Sequence, residues 1–137
     1  MTGTRHKARE VALKVLYEAD AVGHSPQMVL SRLAEEELLT SEGAEFANGL
    51  VVGVCSNMME IDEVIRKMAT AYPLEQVAAM DRNILRLAIW ELLIDNKVPM
   101  RAVISEAVEL ARQFGGEASP KFVNGVLGSV SLMTARR

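Results

Sequence analysis

Apolar residues recur at intervals of three and four along almost the whole chain, the pattern of helices that bury one face. The first stripe, Ala8, Val11, Ala12, Val15, Leu16 and Ala19, predicts a helix from just after Thr4 to about Val22, ended by Gly23. Ser25-Pro26 has the cap-then-proline form of a second helix start, with Val29, Leu30, Leu33 and Leu38 as its apolar positions. A third helix starts at Thr40 or Ser41 and carries Phe46, Leu50, Val54 and Met58 four residues apart, with Val51 and Cys55 widening the stripe. Ile61, Val64, Ile65 and Met68 continue as a fourth.

Tyr72-Pro73 interrupts the pattern, because proline cannot continue a helix interior. After a short helical turn around Leu74 to Ala79, a strongly apolar helix is predicted from about Asp81 to Ile94, with Asn96 as its cap. Ala102, Val103, Ala107, Val108, Leu110 and Ala111 mark the next helix, stopped by Gly115-Gly116. The last begins at Ser119-Pro120, where Ser119 can cap and Pro120 suits the first helical position. No segment alternates apolar and polar residues over a strand's length. The expectation is an all-α protein: about seven helices in a compact bundle, one domain over 1–137 with two small helical subdomains at about 1–72 and 78–137.

The 137 residues are 50% hydrophobic and 24% charged, which fits a folded domain. Only 4% are aromatic, which favours helices over strands. A net charge of -3 gives no global case for nucleic-acid binding, so such a function needs a local basic patch. The single cysteine, Cys55, excludes an intramolecular disulfide and reads as a core residue. The polar start Met1–Lys7 lacks a signal peptide's apolar region, and no apolar run spans a bilayer; a cytoplasmic protein is expected.

Catalytic and metal-binding patterns are weak, and neither a cofactor nor a metal is expected. His6 and His24 lie at opposite ends of the first helix without metal-ligand spacing around them. Gly115-Gly116 lacks the strand and the Lys-Ser/Thr of a phosphate loop, and Glu106 and Glu109 are ordinary surface carboxylates three apart.

Charge placement is more informative. Arg5, His6, Lys7 and Arg9 crowd the start of the first helix, where the helix dipole disfavours cations. Within residues 1–16 only Glu10 opposes four Lys/Arg. Lys121 repeats the arrangement at the start of the last helix, with Phe122 beside it. Converging helix starts of this kind would make one anion-binding surface, on which an aromatic can stack a base. Phe122 equally fits a core row with Val126 and Val130, and Asn124 fits either a backbone bond or an RNA contact. Gly125 and Gly128 within a helix imply close packing against another helix.

These segments, taken in order, resemble the NusB family of bacterial transcription antitermination factors over nearly the whole chain. The resemblance rests on Arg5-His6-Lys7-Ala8-Arg9-Glu10 with Ala12 and Leu16-Tyr17, on Asp81-Arg82-Asn83-Ile84-Leu85-Arg86-Leu87-Ala88 leading to Trp90-Glu91-Leu92, and on Val98-Pro99. It continues through Glu106–Ala111 and Phe114-Gly115 and is strongest at Lys121-Phe122-Val123-Asn124-Gly125-Val126-Leu127. It implies a helical, non-enzymatic protein of the RNA polymerase antitermination complex. Such a protein binds the boxA element of nascent ribosomal RNA together with NusE, a small-ribosomal-subunit protein. Carried over, the RNA surface comprises Arg5, His6, Lys7, Arg9, Lys121 and Phe122, and the partner surface includes Asp81 and Arg86. Asp81 also fits an acidic helix start favoured by the dipole. His6 and Lys7 stand where the family often has arginines, and Ala118 where some relatives carry an acid. The competing reading is a helical protein–protein adapter whose homodimer masks the basic patch. A third, the NusB-like part of an RNA-modifying methyltransferase, lacks a strand–glycine-loop cofactor segment here.

Overall fold

The computed structural model describes residues 2–133, which form seven α-helices and, among the described residues, no strand. None of these helices is long and apolar enough to cross a membrane. The chain divides into two compact units, Met1–Ser56 and Asn57–Arg137.

The first unit holds α1 (Thr2–Val22), α2 (Pro26–Glu36) and α3 (Ser41–Ser56), with α1 packed on both others. Its core is Ala8, Val11, Ala12, Leu13, Val15 and Leu16 of α1, joined by Val29 and Leu30 of α2 and by Ala47, Leu50, Val51 and Val54 of α3, while Ala19 of the predicted stripe is only half-buried. Gly23 ends α1 at φ 76°, a left-handed turn that glycine adopts without a Cβ penalty. Ser25 caps α2, its hydroxyl accepting from the Met28 N–H at 3.5 Å.

Two expectations for this unit are corrected. Leu38 is not on the apolar stripe; it lies beyond α2, is 85% exposed and adopts φ 57°. The Leu38 and Leu39 N–H groups donate to the carbonyls of Glu35 and Ala34, a helix-ending pair of bonds that requires a left-handed residue at position 38. Cys55 is exposed rather than in the core, because it lies one turn past Val51, where α3 runs beyond the buried residues.

The second unit holds α4 (Met58–Met68), a 3-10 turn (Leu74–Gln76), α5 (Ala79–Ile89), a π-helical turn (Trp90–Asp95), α6 (Met100–Phe114) and α7 (Ser119–Ser131). Helix α5 is central, packed against α4, α6 and α7. Every residue from Asn83 to Ile89 is buried. The division between units falls after Ser56 rather than at the Pro73 break, because α4 packs on α5 and α7. The helix expected to reach Ile94 widens into the π-helical turn after Ile89, and Asn96 closes it at φ 57°. Asparagine tolerates that conformation better than most residues.

Candidate nucleic-acid interface

In the first unit, helical periodicity presents the predicted basic residues as two different groups. Arg5 and Arg9, one turn apart, lie over the ring of Phe46 on α3, their guanidinium carbons 4.9 and 5.2 Å from its centroid. Cation–π attraction of this kind holds a guanidinium in place without neutralising it. Arg5 is exposed, whereas Arg9 is buried at 7% exposure. Arg9, expected on the RNA surface, is instead largely buried against Phe46, between the buried Ala8 and Ala12 in the sequence.

His6 and Lys7 are engaged by carboxylates. His6 Nε2 is 2.9 Å from Glu10 Oε2, one turn along. Lys7 Nζ is 2.9 Å from Glu37 Oε1 and 4.0 Å from Glu10 Oε1. Glu37 Oε2 also accepts from Lys14 Nζ at 3.0 Å. The hydrogen bond to Glu37, then its charge, holds the Lys7 ammonium above the ordinary lysine range. Reciprocally, the bonds from Lys7 and Lys14 hold Glu37 below the ordinary carboxylate range.

In the second unit, Lys121 is exposed in the first turn of α7. Phe122 is half-buried and meets Tyr72 edge to face, at 6.2 Å between centroids and 64° between planes. Tyr72 is itself 53% exposed, so the pair leaves aromatic surface open to solvent. Both rings line a cleft of about 540 Å³ together with Gln76, Asp81, Glu117 and Ser119.

The start of α7 is built differently from expectation. Ser119 does not cap the helix; Ala118 occupies the cap position, and the Ser119 hydroxyl accepts the Gly116 N–H at 2.9 Å. The tight loop behind α6 directs the hydroxyl backward. A Cβ on Gly115 would lie 2.5 Å from Ser119 Oγ, so this approach needs glycine. Gly125 and Gly128, expected at a close helix contact, are exposed, and a Cβ at either meets nothing within 4 Å. They lie on the outer face of α7, opposite the buried Val123 and Leu127.

The two expected partner residues separate. Asp81 stands in the first turn of α5 at the wall of the cleft, with Oδ1 buried and accepting no hydrogen bond. Arg86 is internal at 7% exposure. Its Nε and one terminal nitrogen donate to both oxygens of Asp62 on α4 at 2.8 and 2.9 Å, and the other terminal nitrogen donates to Asn83 Oδ1 at 3.1 Å. A guanidinium occupied in this way ties α4 to α5, which corrects its placement on a partner surface. Phe46, Tyr72 and Glu37 carry no functional signal in the sequence: Phe46 fits one more stripe position and Tyr72 a proline break. Lys14 does, because it belongs to the basic start of α1 and shares a helix face with Lys7, seven residues earlier.

The fold and these surfaces define an all-helical binding protein, with two arginines over an aromatic ring in its first unit and an exposed lysine next in sequence to a half-open aromatic pair in its second. Among the described residues no group of three or more His, Cys, Asp or Glu side chains is placed to hold a metal ion. The NusB family profile matches residues 6–132. The transcription antitermination protein NusB of Dehalococcoides mccartyi is 50% identical over 131 residues, covering 96% of this chain and 92% of that protein. Among solved structures, T. maritima NusB superposes with a TM-score of 0.89 at 30% identity, covering 96% of this chain and 93% of its own. A NusB chain from a crystal structure of the antitermination factors NusB and NusE in complex with dsRNA also gives 0.89, at 30% identity, covering 97% and 99%. The chain belongs to the NusB family.

Proposed function

We propose that this chain is an RNA-binding transcription antitermination factor that acts with NusE on the boxA element of nascent ribosomal transcripts. The observation that carries the reading is the open Phe122–Tyr72 pair beside Lys121, in a chain matched almost end to end by a NusB crystallised with NusE and dsRNA. Its work is binding rather than catalysis, in the cytoplasm, within the antitermination complex on RNA polymerase.

The chemistry follows from the side chains. Arg5, Lys7 and Lys121 hold phosphates, which sets position along the strand but not sequence. Phe122, with Tyr72 against its edge, stacks an unpaired base, a contact worth about 1–3 kcal/mol in single-strand binders. Within the first unit, His6 is held through Glu10, and Arg9 lies with Arg5 over Phe46. Asp81, with its unbonded carboxylate oxygen in the cleft wall, is the acidic contact for the protein partner.

A fluorescence titration with boxA-like RNA and a scrambled RNA of equal length, with and without NusE, tests the reading. With about three or four phosphate contacts, log affinity falls against log salt with a slope of about -2 to -3. Lys121→Ala should make that slope shallower by about 0.7. Phe122→Ala should weaken boxA binding by about 5- to 150-fold, the equivalent of one stacked base. Equal affinity for both RNAs in the presence of NusE would defeat the proposal.

A further inference from the structure

Lys7 and Lys14 lie two turns apart on one face of α1, and both ammonium groups reach the Glu37 carboxylate, Lys7 lying also 4.0 Å from Glu10. Glu37 gives one oxygen to each, at 2.9 and 3.0 Å. Glu37 directly follows α2, where the negative end of the helix dipole disfavours a carboxylate. Glu35 and Glu36 crowd the same end. The two lysines therefore offset an unfavourable site for Glu37, and its hold there depends on them. All three groups reach solvent, with side chains 44%, 34% and 23% exposed for Lys7, Lys14 and Glu37. A phosphodiester presents two anionic oxygens much as a carboxylate does, and unlike Glu37 it is not tethered to the chain.

We propose that Lys7 and Lys14 form a seat for one RNA phosphate, occupied by the Glu37 carboxylate until a phosphate displaces it. The seat adds Lys14 to the RNA surface and makes Glu37 an internal competitor that lowers affinity for every RNA alike. Base reading remains with the aromatic residues, so Glu37 raises the threshold for binding without changing sequence preference. The inference rests on the RNA-binding reading above.

The test is a salt-dependent titration of boxA-like and scrambled RNA against the full chain and five variants. Glu37→Gln should tighten binding of both RNAs by about two- to thirtyfold, the fold-change equivalent of two exposed ion pairs. Lys14→Gln should make the salt slope shallower, by less than the about 0.7 of a whole phosphate contact, because Lys7 still holds the shared phosphate. The gain from Glu37→Gln should vanish when Lys7→Gln and Lys14→Gln are both present, which the double and triple variants measure. Glu36→Gln, with the same change in net charge beside Arg32 at 3.8 Å, should change affinity by less than about twofold. The seat is refuted if the native chain binds RNA and Glu37→Gln does not tighten it, if Glu36→Gln tightens it equally, or if the gain survives loss of both lysines. No RNA binding by the native chain at all would refute the functional reading itself, a result distinct from each of those.

Discussion

Replacing Asp62 by alanine removes the two carboxylate oxygens that pair with the Arg86 guanidinium and leaves that charge without its carboxylate, beside Asn83. Arg86 is only 7% exposed, so water reaches it poorly. Breaking a buried pair by deleting one partner costs about 3–5 kcal/mol, because an uncompensated charge stays behind. The Asp62 side chain is 14% exposed, at the edge of the α4–α5 contact, which places the expected loss near the lower end, about 3 kcal/mol. With a urea dependence of about 2 kcal/mol per molar for a domain of this size, the unfolding midpoint should fall by about 1.5 M. Urea titration followed by far-ultraviolet circular dichroism reads this directly. The double variant Asp62→Leu with Arg86→Met removes both charges and should recover most of the loss, because two apolar side chains need no partner. A loss below about 1 kcal/mol for Asp62→Ala would mean that Arg86 is solvated and that its internal role is wrong. Abolished NusE binding by Arg86→Met at unchanged stability would refute that role from the other side.

The glycines of the last two helices should respond in opposite directions. Gly125→Ala and Gly128→Ala should each raise stability by about 0.5–1 kcal/mol, since the added Cβ meets nothing within 4 Å and glycine is a poor helix former. Gly115→Ala should lower it by about 1–3 kcal/mol, since its Cβ would fall 2.5 Å from Ser119 Oγ and 2.8 Å from the Ala111 carbonyl; thermal melts separate the two outcomes. The Lys7–Glu37 pair predicts loss of stability at both ends of the pH scale. Glu37 titrates below its ordinary value when folded, so its contribution is present above about pH 4.5 and is lost as pH falls through the lowered value. Lys7 titrates above its ordinary value, so its contribution is present below about pH 10.5 and is lost as pH rises through the raised one. Glu37→Gln should flatten both limbs in urea titrations across pH, and unchanged limbs would count against the pair.

Much of this protein was legible in order along the chain. Three- and four-residue spacing located every helix, because one buried face per helix leaves that period in the sequence. Proline and glycine marked most of the boundaries, because their effects on φ and on hydrogen bonding are local. The basic start of α1 and the Lys121-Phe122 pair were visible for the same reason. Contacts between residues distant in sequence carry no such period. Only the tertiary structure set Glu37 between Lys7 and Lys14, Phe46 beneath Arg5 and Arg9, and Tyr72 against Phe122. It also turned Arg86 inward to Asp62 and left Gly125 and Gly128 exposed, because burial depends on which faces of neighbouring helices meet. The sequence by itself determined which side chains carry charge and on which turn they stand; which of those charges still face solvent was decided by packing.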